Sequence, residues 1–485
     1  MNRRSFLKQT SLGLAATTLV PAQKTPRPNI VFILADDIGY GDLSCYGAKQ
    51  VSTPNLDRLA KMGLRFTDAH TTSATCTPSR YAIMTGEYPW RKPGTNVLPG
   101  DAKLIIDPAQ PTLPRMLQSA GYKTGCVGKW HLGLGNGGVD WNGEISPGPL
   151  ELGFDESFII PATGDRVPCV YIEGHRVVGL NPKDPIAVSY LKKVGDEPTG
   201  KEHPEYLKMP LSAGHDMTIV NGISRIGYMS GGHSALWVDE DMAGVLNRRA
   251  LKFIDDHHKE PFFLYFATHD IHVPRVPSAQ FRGTSHCGVR CDVIRELDDS
   301  AGQVLAALEK YGLMENTIII FSSDNGAVVD DGYADGAAES LNGHKPSGPL
   351  RGGKYSVYEG GTRVPFSVTW KGKIQPGVSD AMISQVDLLA SFAAFTGSKV
   401  AAKDSQDISG ALFGKAKTAR TELVEHAGAR LGLRQGQWKY AGAGGNQKAE
   451  LFDLSSDPGE TKDLSQQKPQ LMKQMAQRLA AIRAS

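Results

Sequence analysis

Acidic and amide side chains directly follow two apolar segments of the sequence. Residues 29–35 run into Asp36 and Asp37, and a second apolar run leads through two serines to Asp324 and Asn325. Adjacent carboxylates at the end of a buried strand repel each other unless a cation joins them. Side-chain oxygens without His or Cys favour a hard ion, calcium or magnesium, over zinc. Either pair taken alone would more often be a turn or a helix cap.

A second candidate for chemistry is Cys76, which precedes a short segment with helix signals. Thr77 can cap a helix, Pro78 suits its first position and Gly86 can end it. We therefore expect Cys76 just before a helix amino terminus, where backbone N–H groups and the helix dipole favour an anion. Arg80 lies one turn along and can lean back toward it. The pattern also fits a low-pKa thiol or an incidental cysteine.

These residues need elements that bring them together. Four apolar runs, residues 29–35, 122–127, 262–267 and 317–321, each end in acids, amides, His or Lys. Continuous apolar runs of this length are typical of strands covered on both faces, as in a parallel sheet between helices. Ligands bind beyond the carboxyl ends of such strands. We therefore expect the four polar ends to meet at one edge of a sheet.

Helical patterns lie between the runs. They begin near Thr53 and Thr112, each followed by a proline, and two longer amphipathic stretches cover residues 242–257 and 293–311. Strands that alternate with helices predict an α/β fold, here a large mixed, mostly parallel sheet sandwiched by helices.

The chain divides into three predicted parts. Residues 1–23 form a signal peptide, 24–398 a catalytic domain and 399–485 a smaller C-terminal α+β subdomain, an antiparallel sheet plus a helix near residues 471–482. The stretch 135–232 is rich in Gly and Pro, and we expect it to form loops over the edge of the site rather than a domain.

The first 23 residues also predict where the protein acts. They contain Arg3-Arg4-Ser5-Phe6-Leu7-Lys8 and an apolar run too short to span a bilayer, which favours a twin-arginine signal peptide. An ordinary secretory signal or an uncleaved tether is the alternative. We expect a bacterial protein exported to the periplasm or medium, with no stable membrane span. With 53 Lys and Arg against 51 Asp and Glu, the composition does not indicate a basic surface for nucleic acid.

The six cysteines are too few for a disulfide scaffold, and none has zinc-site spacing. Cys287 and Cys291 could pair outside the cytoplasm, but the sequence does not decide whether they do.

The motif Cys76-Thr77-Pro78-Ser79-Arg80, with a short helix and Thr85-Gly86 after it, resembles the signature of the type I sulfatases of the alkaline-phosphatase-like superfamily. The resemblance continues in order from Asn29 to Leu464. It implies a sulfuric ester hydrolase in which a maturation enzyme oxidises the cysteine to formylglycine, whose hydrated aldehyde supplies the nucleophilic oxygen. Because that enzyme acts on unfolded chain, modification would precede twin-arginine export of the folded protein.

The resemblance also assigns the metal site. It implies that Asp36, Asp37, Asp324 and Asn325 bind one calcium ion together with modified Cys76.

The remaining catalytic roles come from the same resemblance. Arg80 would hold the formylglycine. Lys129 and His131 match the Lys-x-His pair of the family, in which His131 would orient the hydrate. His272 would contact the sulfate and protonate the leaving oxygen, and Lys354 would bind the sulfate. These residue types suit the reaction, because a sulfate ester is anionic and a leaving sugar alkoxide needs a proton.

Loop residues resemble those of bacterial carbohydrate sulfatases, which implies a sulfated saccharide as substrate. The expected activity is exo-acting on sulfated glycans such as 3-O-sulfated galactose or GalNAc, because His175 matches a histidine that recognises a sugar hydroxyl. An arylsulfatase or a 4- or 6-O-sulfated hexosamine sulfatase is the alternative. Five candidate substrate residues follow from these loops: Asp165, Arg166, His175, His269 and His344.

Two other functions are alternatives to sulfate ester hydrolysis. Phosphatases and phosphonate or phosphodiester hydrolases of the same superfamily often use Thr or Ser with two zinc ions, which the single oxygen-rich metal pattern disfavours. An inactive, glycan-binding homologue would require that Cys76 stays unmodified.

Overall fold

The structure, a computed structural model, describes residues 27–485, so the predicted signal peptide lies outside the described residues. Within this range no helix is long and apolar enough to cross a membrane. The helices are α1 Pro54–Met62, α2 Cys76–Thr85, α3 Leu113–Ser119, α4 Met242–His257, α5 Gly288–Lys310, α6 Glu359–Thr362, α7 Leu388–Thr396, α8 Ser409–Leu412 and α9 Pro469–Ala484.

The strands are short, and most belong to one sheet. In chain order they are β1 Asn29–Ala35, β2 Leu64–Phe66, β3 Ala69–His70, β4 Lys123–Lys129, β5 Glu156–Ile160, β6 Ile172–Glu173, β7 Arg176–Val177, β8 Ala187–Ser189, β9 Ile219–Val220, β10 Ile223–Ser224, β11 Tyr228–Ser230, β12 Phe262–Ala267, β13 Thr317–Ser323, β14 Phe366–Thr369, β15 Gly377–Ser379, β16 Ile383–Ser384, β17 Glu422–Ala427, β18 Arg430–Gln435, β19 Trp438–Ala441 and β20 Glu450–Asp453.

The central sheet has ten strands in the order β15-β2-β14-β13-β1-β12-β4-β5-β6-β7. Its five middle strands, from β13 to β5, run parallel, whereas β14 and β6 run antiparallel to their neighbours. All residues of β1, β12 and β13 are buried, as continuous apolar runs predict for strands covered on both faces. The large mixed, mostly parallel sheet expected from the sequence is confirmed.

The pairing register aligns the strand ends that carry polar residues. Ala35, the last residue of β1, pairs with Ser323, the last residue of β13. Ala267, the last residue of β12, pairs with Leu34 and with Gly128. The polar segments that follow these strands therefore begin at one level, at the carboxyl edge of the sheet.

The stretch 135–232 is not made of loops alone, because β5 extends the parallel set and β6 and β7 add a hairpin. The hairpin runs back along β5: Glu173 pairs with Phe158, and the N–H of Gly174 donates to the carbonyl of Ser157 at 2.9 Å. The turn that holds His175 therefore lies toward the amino ends of the parallel strands, at the opposite edge of the sheet.

The C-terminal part has the predicted antiparallel sheet and helix. Strands β17 to β20 form a four-stranded antiparallel sheet, and Met475 and Leu479 of α9 pack among buried residues of that sheet. Backbone bonds join the sheet to the main body just before α2. Ala74 donates to the carbonyl of His426 at 2.9 Å, and His426 donates to that of Thr72 at 3.0 Å.

The two cysteines that the sequence left open, Cys287 and Cys291, form a disulfide at the start of α5.

Buried charges also connect the small sheet to the main body. Lys439 Nζ on β19 lies 2.5 Å from Glu425 Oε2 and 3.0 Å from Glu359 Oε1, and Arg434 Nη1 lies 3.1 Å from Glu359. All four side chains are buried. Removal of one partner from such a network leaves an uncompensated buried charge, which is costlier than the loss of a surface pair.

We expect Lys439→Met to destabilise the protein by about 3 kcal/mol, because Glu425 and Glu359 lose their shared cation. Arg478→Met is the matched control, since the Arg478 pair with Glu422 is largely open to solvent and its loss should change the stability little. Thermal unfolding midpoints measured by circular dichroism compare the two variants. Equal midpoints would show that the network does not hold the small sheet in place.

Candidate active site

Cys76 is the first residue of α2, which begins two residues earlier than the predicted start at Pro78, and Gly86 ends the helix with φ 65° as expected. The thiol is buried with 1% exposure, and its Sγ lies 3.3 Å from His131 Nδ1. Burial raises the pKa of Cys76 above its usual value. The side chain therefore stays protonated near neutral pH, which argues against the alternative of a low-pKa thiol.

His131 faces Cys76 as a neutral acceptor. Its Nε2 lies 2.9 Å from the carbonyl oxygen of Leu98, which can only accept, so Nε2 carries the proton and Nδ1 is free to accept. Burial first, and then the positive charge of Lys129, holds the pKa of His131 well below its usual value. The imidazole can thus accept a proton from a hydroxyl or thiol at position 76.

The three carboxylates and the amide predicted to bind metal come together at the edge of the sheet. The Asn325 side-chain amide donates to Asp37 Oδ1 at 2.7 Å, and the backbone N–H of Asp37 lies 3.4 Å from Asp324 Oδ1. Lys129 Nζ donates to Asp36 Oδ2 at 2.5 Å and lies 3.9 Å from Asp324. None of these five side chains is exposed.

The donor set fits a hard cation. Asp36 Oδ1 and Asn325 Oδ1 are buried and have no hydrogen-bond partner within residues 27–485. Burial, and then the charge of Asp324, raises the pKa of Asp36 to about 8. Buried acceptors without donors are costly, and a cation would satisfy both oxygens and relieve the repulsion. An all-oxygen protein set of this kind suits calcium better than zinc.

Arg80 connects α2 to this set. Its Nε donates to Asp324 Oδ2 at 2.9 Å and its Nη1 to the carbonyl of Lys129 at 2.8 Å. Its buried Nη2 has no partner among the described residues. That nitrogen remains available to a polar group on Cys76, one helical turn away.

Lys354 and His272 lie on the other side of Asp37. Lys354 Nζ is 2.9 Å from Asp37 Oδ2 and 2.8 Å from Asp331 Oδ2, and these carboxylates hold the pKa of the lysine well above its usual value despite burial. His272 Nε2 is 3.9 Å from Asp37 Oδ2, and its Nδ1 is 2.7 Å from the carbonyl of Val273. Burial, and then Lys354, lowers the pKa of His272 well below its usual range.

Of the predicted substrate residues, Asp165 and Arg166 follow β5 at the carboxyl edge. Arg166 Nη1 lies 2.8 Å from both carboxylate oxygens of Asp165. His215, which no sequence motif marks, lies 3.0 Å from Asp165 Oδ2. His269 Nε2 accepts from the backbone N–H of Gly164 at 3.0 Å, and burial lowers its pKa to about 4. His269 thus positions the loop after β5.

The structure does not place the other two predicted substrate residues at the site. His175 pairs with Glu151 at 2.9 Å near the opposite edge of the sheet, because the β6–β7 hairpin turns back along β5. His344 is buried and lies 2.7 Å from Asp42 Oδ1. Its connection to the metal set is indirect. Asp42 also accepts from Arg290, and Arg290 Nη2 donates to the carbonyl of Asp37 at 3.3 Å.

Two residues that the sequence analysis did not single out also lie at the site. Asp331 bonds Lys354, and the hydroxyl of Tyr355 donates to Asp331 Oδ1 at 3.0 Å. The Tyr355 side chain is about half exposed, so the pair faces outward. The run Asp330-Asp331-Gly332 looks like an ordinary turn in the sequence, whereas Tyr355 directly follows Lys354 and could have been found from it.

We expect calcium to raise the thermal unfolding midpoint relative to chelated protein, because it satisfies the two unpartnered oxygens. Asn325→Ala should abolish most of that rise, since it removes one of these oxygens and the bond to Asp37. Asp256→Asn, which changes an exposed carboxylate on α4, is the control and should keep the full rise. An equal calcium-dependent rise in both variants would mean that the cation binds elsewhere.

Comparisons with known proteins agree with this arrangement. Residues 28–398 match the family described as Sulfatase. The chain is 50% identical to an N-acetylgalactosamine-6-O-sulfatase of Bacteroides thetaiotaomicron, with 95% of this chain and 94% of the relative covered. It is 32% identical to human arylsulfatase A over 95% of this chain and 86% of that relative.

A solved structure supports the same assignment. It is titled for the metabolism of multiple glycosaminoglycans by Bacteroides thetaiotaomicron, is 50% identical and superposes with a TM-score of 0.94. The superposition covers 95% of this chain and 100% of the solved chain. The family match spans both the strand ends and Cys76, so this chain belongs to the sulfatase family and is a sulfuric ester hydrolase.

Proposed function

We propose that the chain removes 6-O-sulfate from N-acetylgalactosamine at the end of a glycan, with formylglycine made from Cys76 and one calcium ion. The observation that carries the mechanism is the convergence on Cys76 of an oxygen-only metal set, two lysines and two neutral histidines. Such a set can neutralise an anionic ester and activate a nucleophile beside it.

The position of the sulfate rests on the relatives. The printed name of the Bacteroides relative specifies 6-O-sulfated N-acetylgalactosamine, and a rat relative, 32% identical over 80% of this chain, is named N-acetylgalactosamine-6-sulfatase. The expectation of 3-O-sulfated galactose depended on His175, which lies near the opposite edge of the sheet. The 6-O-sulfated hexosamine, an alternative at the outset, is therefore the better supported substrate.

The metal ligands proposed are Asp36, Asp37, Asp324 and Asn325, with the modified side chain at position 76. When bound, calcium would supply positive charge to the sulfate oxygens, and the hydrated aldehyde would supply the nucleophile. Asp36 Oδ1 and Asn325 Oδ1 support this assignment, because they are the buried oxygens without donors.

Three neighbouring side chains would accept a proton from the group at position 76, donate a hydrogen bond to it or keep the charge around it positive. His131 Nδ1 lies 3.3 Å from Sγ and is the acceptor that would take a proton from a hydroxyl placed there. The free Nη2 of Arg80 would donate to the same group. Lys129 would keep the local charge positive as the ester approaches.

The leaving side of the ester would lie toward Lys354 and His272. Lys354 would bind a sulfate oxygen, and His272 Nε2 would face the oxygen that leaves. His272 is neutral in the free protein because burial and Lys354 lower its pKa. A bound anion opposes the charge of Lys354 and so favours the protonated imidazole, which can then donate its proton to the sugar alkoxide.

Burial supports exo action. Cys76, His272 and Lys354 are at most 7% exposed, so the sulfate must enter a closed end of the site. A terminal residue can insert its sulfate there, whereas an internal residue would bring chain on both sides. Asp165, Arg166 and His215, which form one hydrogen-bonded group, would contact the sugar hydroxyls.

Export to the periplasm or medium, after oxidation of Cys76 by a maturation enzyme, completes the proposal. The twin-arginine pattern in residues 1–23 supports export, and the buried position of Cys76 supports oxidation before folding.

Mass spectrometry of the peptide that contains Cys76 tests the nucleophile. In protein from a bacterium with the maturation enzyme, we expect a peptide lighter than the thiol form, with a mass that matches the aldehyde. In Arg80→Lys protein whose peptide has the aldehyde mass, kcat should be lower than in wild type, because Lys lacks the second nitrogen that would donate to the hydrated aldehyde. Fully active protein that contains only thiol would rule out the formylglycine mechanism.

A panel of 3-, 4- and 6-O-sulfated galactose and hexosamines tests the substrate. We expect the highest kcat/KM on 6-O-sulfated N-acetylgalactosamine. Asp165→Asn should lower that value about tenfold or more, as for a lost hydrogen bond to a charged group, whereas His175→Ala should leave it unchanged. If 3-O-sulfated galactosides are preferred and His175→Ala abolishes that preference, the 6-O assignment is wrong.

A further inference from the structure

Asp331 occupies the outer side of the sulfate-binding lysine. Lys354 Nζ is held between Asp37 Oδ2 at 2.9 Å and Asp331 Oδ2 at 2.8 Å. The Asp37 side chain is fully buried, but that of Asp331 is 18% exposed and also accepts from the hydroxyl of Tyr355. Asp331 is thus the carboxylate that an entering substrate meets beside Lys354.

The neighbouring chain holds Asp331 in this place. The N–H of Ser212 donates to the carbonyl of Gly332 at 3.1 Å, and Leu211 forms a backbone bridge with Tyr333. Gly332 has φ 101°, and a Cβ there would lie 2.1 Å from the ring of His215. The segment that carries His215 to the site therefore also braces the loop of Asp331.

The charges of the site leave a specific role for this carboxylate. With calcium bound, the three buried carboxylates of the metal set would all be ionised and matched by three cations, so the ion would leave two uncompensated positive charges; the six groups are Asp36, Asp37, Asp324, Arg80, Lys129 and Lys354. Asp165 is already paired with Arg166. Asp331 therefore reduces the excess to one positive charge, which equals the single negative charge of a sulfate monoester.

On the basis of the proposed function, we propose that Asp331 is a specificity residue that restricts the site to sugars with one anionic group. A second sulfate or a carboxylate next to the scissile ester meets the Asp331 carboxylate and has no cation left to neutralise it. Asp331 also competes with free sulfate for Lys354. Both effects are electrostatic and weaken as salt rises.

The test compares Asp331→Asn with wild type on N-acetylgalactosamine 6-sulfate and on the 4,6-disulfate. The amide keeps the size of the side chain and an acceptor for Tyr355 but removes the charge. We expect the ratio of kcat/KM for disulfate to kcat/KM for monosulfate to rise about 4- to 300-fold, the range that two like charges about 5 Å apart give between the dielectric constants of bulk water and of a protein surface.

Two further variants separate charge from structure. Asp330→Asn is the matched control: it changes the adjacent carboxylate, which accepts from Ser212 Oγ at 2.5 Å and does not contact Lys354, and it should leave the ratio unchanged. Asp331→Glu keeps the charge and should keep the wild-type discrimination. Asp331→Ser replaces the asparagine variant if that protein does not fold.

Calorimetric titration of the calcium-loaded protein with inorganic sulfate gives a readout that needs no turnover. We expect Asp331→Asn to bind sulfate about tenfold more tightly than wild type and Asp330→Asn to bind it equally. An unchanged substrate ratio together with an unchanged sulfate affinity would overturn the role of Asp331. If the wild-type protein is inactive on N-acetylgalactosamine 6-sulfate but Asp331→Asn binds inorganic sulfate about tenfold more tightly than wild type, only the proposed substrate is overturned.

Discussion

Three carboxylates without any exposure must be neutralised at one edge of the sheet, and the rest of the site depends on how this is done. Each of them has a partner cation from a different element: Lys129 ends β4, Arg80 lies on α2, and Lys354 lies in the segment before α6. These ion pairs fix α2, and so Cys76, against the strand ends. They remain incomplete, because two oxygens of the set have no donor in the described chain. A divalent cation would complete the arrangement and give the cluster an excess of positive charge, which attracts an anion.

The backbone is also strained where the charges meet. Seven described residues other than glycine have positive φ values, and four of them lie at the site: Asp37 at 61°, His131 at 54°, His215 at 58° and Tyr355 at 70°. Backbone conformations in sparsely populated regions of φ and ψ are unfavourable by about 1–3 kcal/mol each, and they persist when surrounding contacts stabilise them. Here the holding contacts are those of the site itself, such as the His131 bond to Leu98 and the Asp37 contacts with Asn325. Orientation of these side chains is therefore built into the folded chain before any substrate binds.

The grouping of residues around Cys76 could be predicted from the sequence, whereas the placement of the loop residues could not, for a physical reason. Apolar runs identify buried strands, and parallel strands end at one edge, so Asp36, Asp324 and His272 could be brought together without a structure. The loops have no such rule. His175 was expected to bind sugar. The edge of the sheet at which its turn lies depends on whether β6 runs parallel or antiparallel to β5, and the sequence around this two-residue strand does not reveal that direction. His215 and Asp331 lie in irregular chain and were not predicted at all.

The residues at the strand ends and the residues in the loops differ in how their positions are fixed. The groups around Cys76 come from strand ends and one helix, whose relative positions the pairing of the central sheet fixes. The groups beyond Lys354 come from two segments that brace each other across Gly332, so a change in either displaces both His215 and Asp331. Discrimination between sugars can therefore change through a few loop residues while the chemistry stays constant. The match to the Bacteroides relative is 50% identical and covers 95% of this chain, so it spans these loops as well as the core.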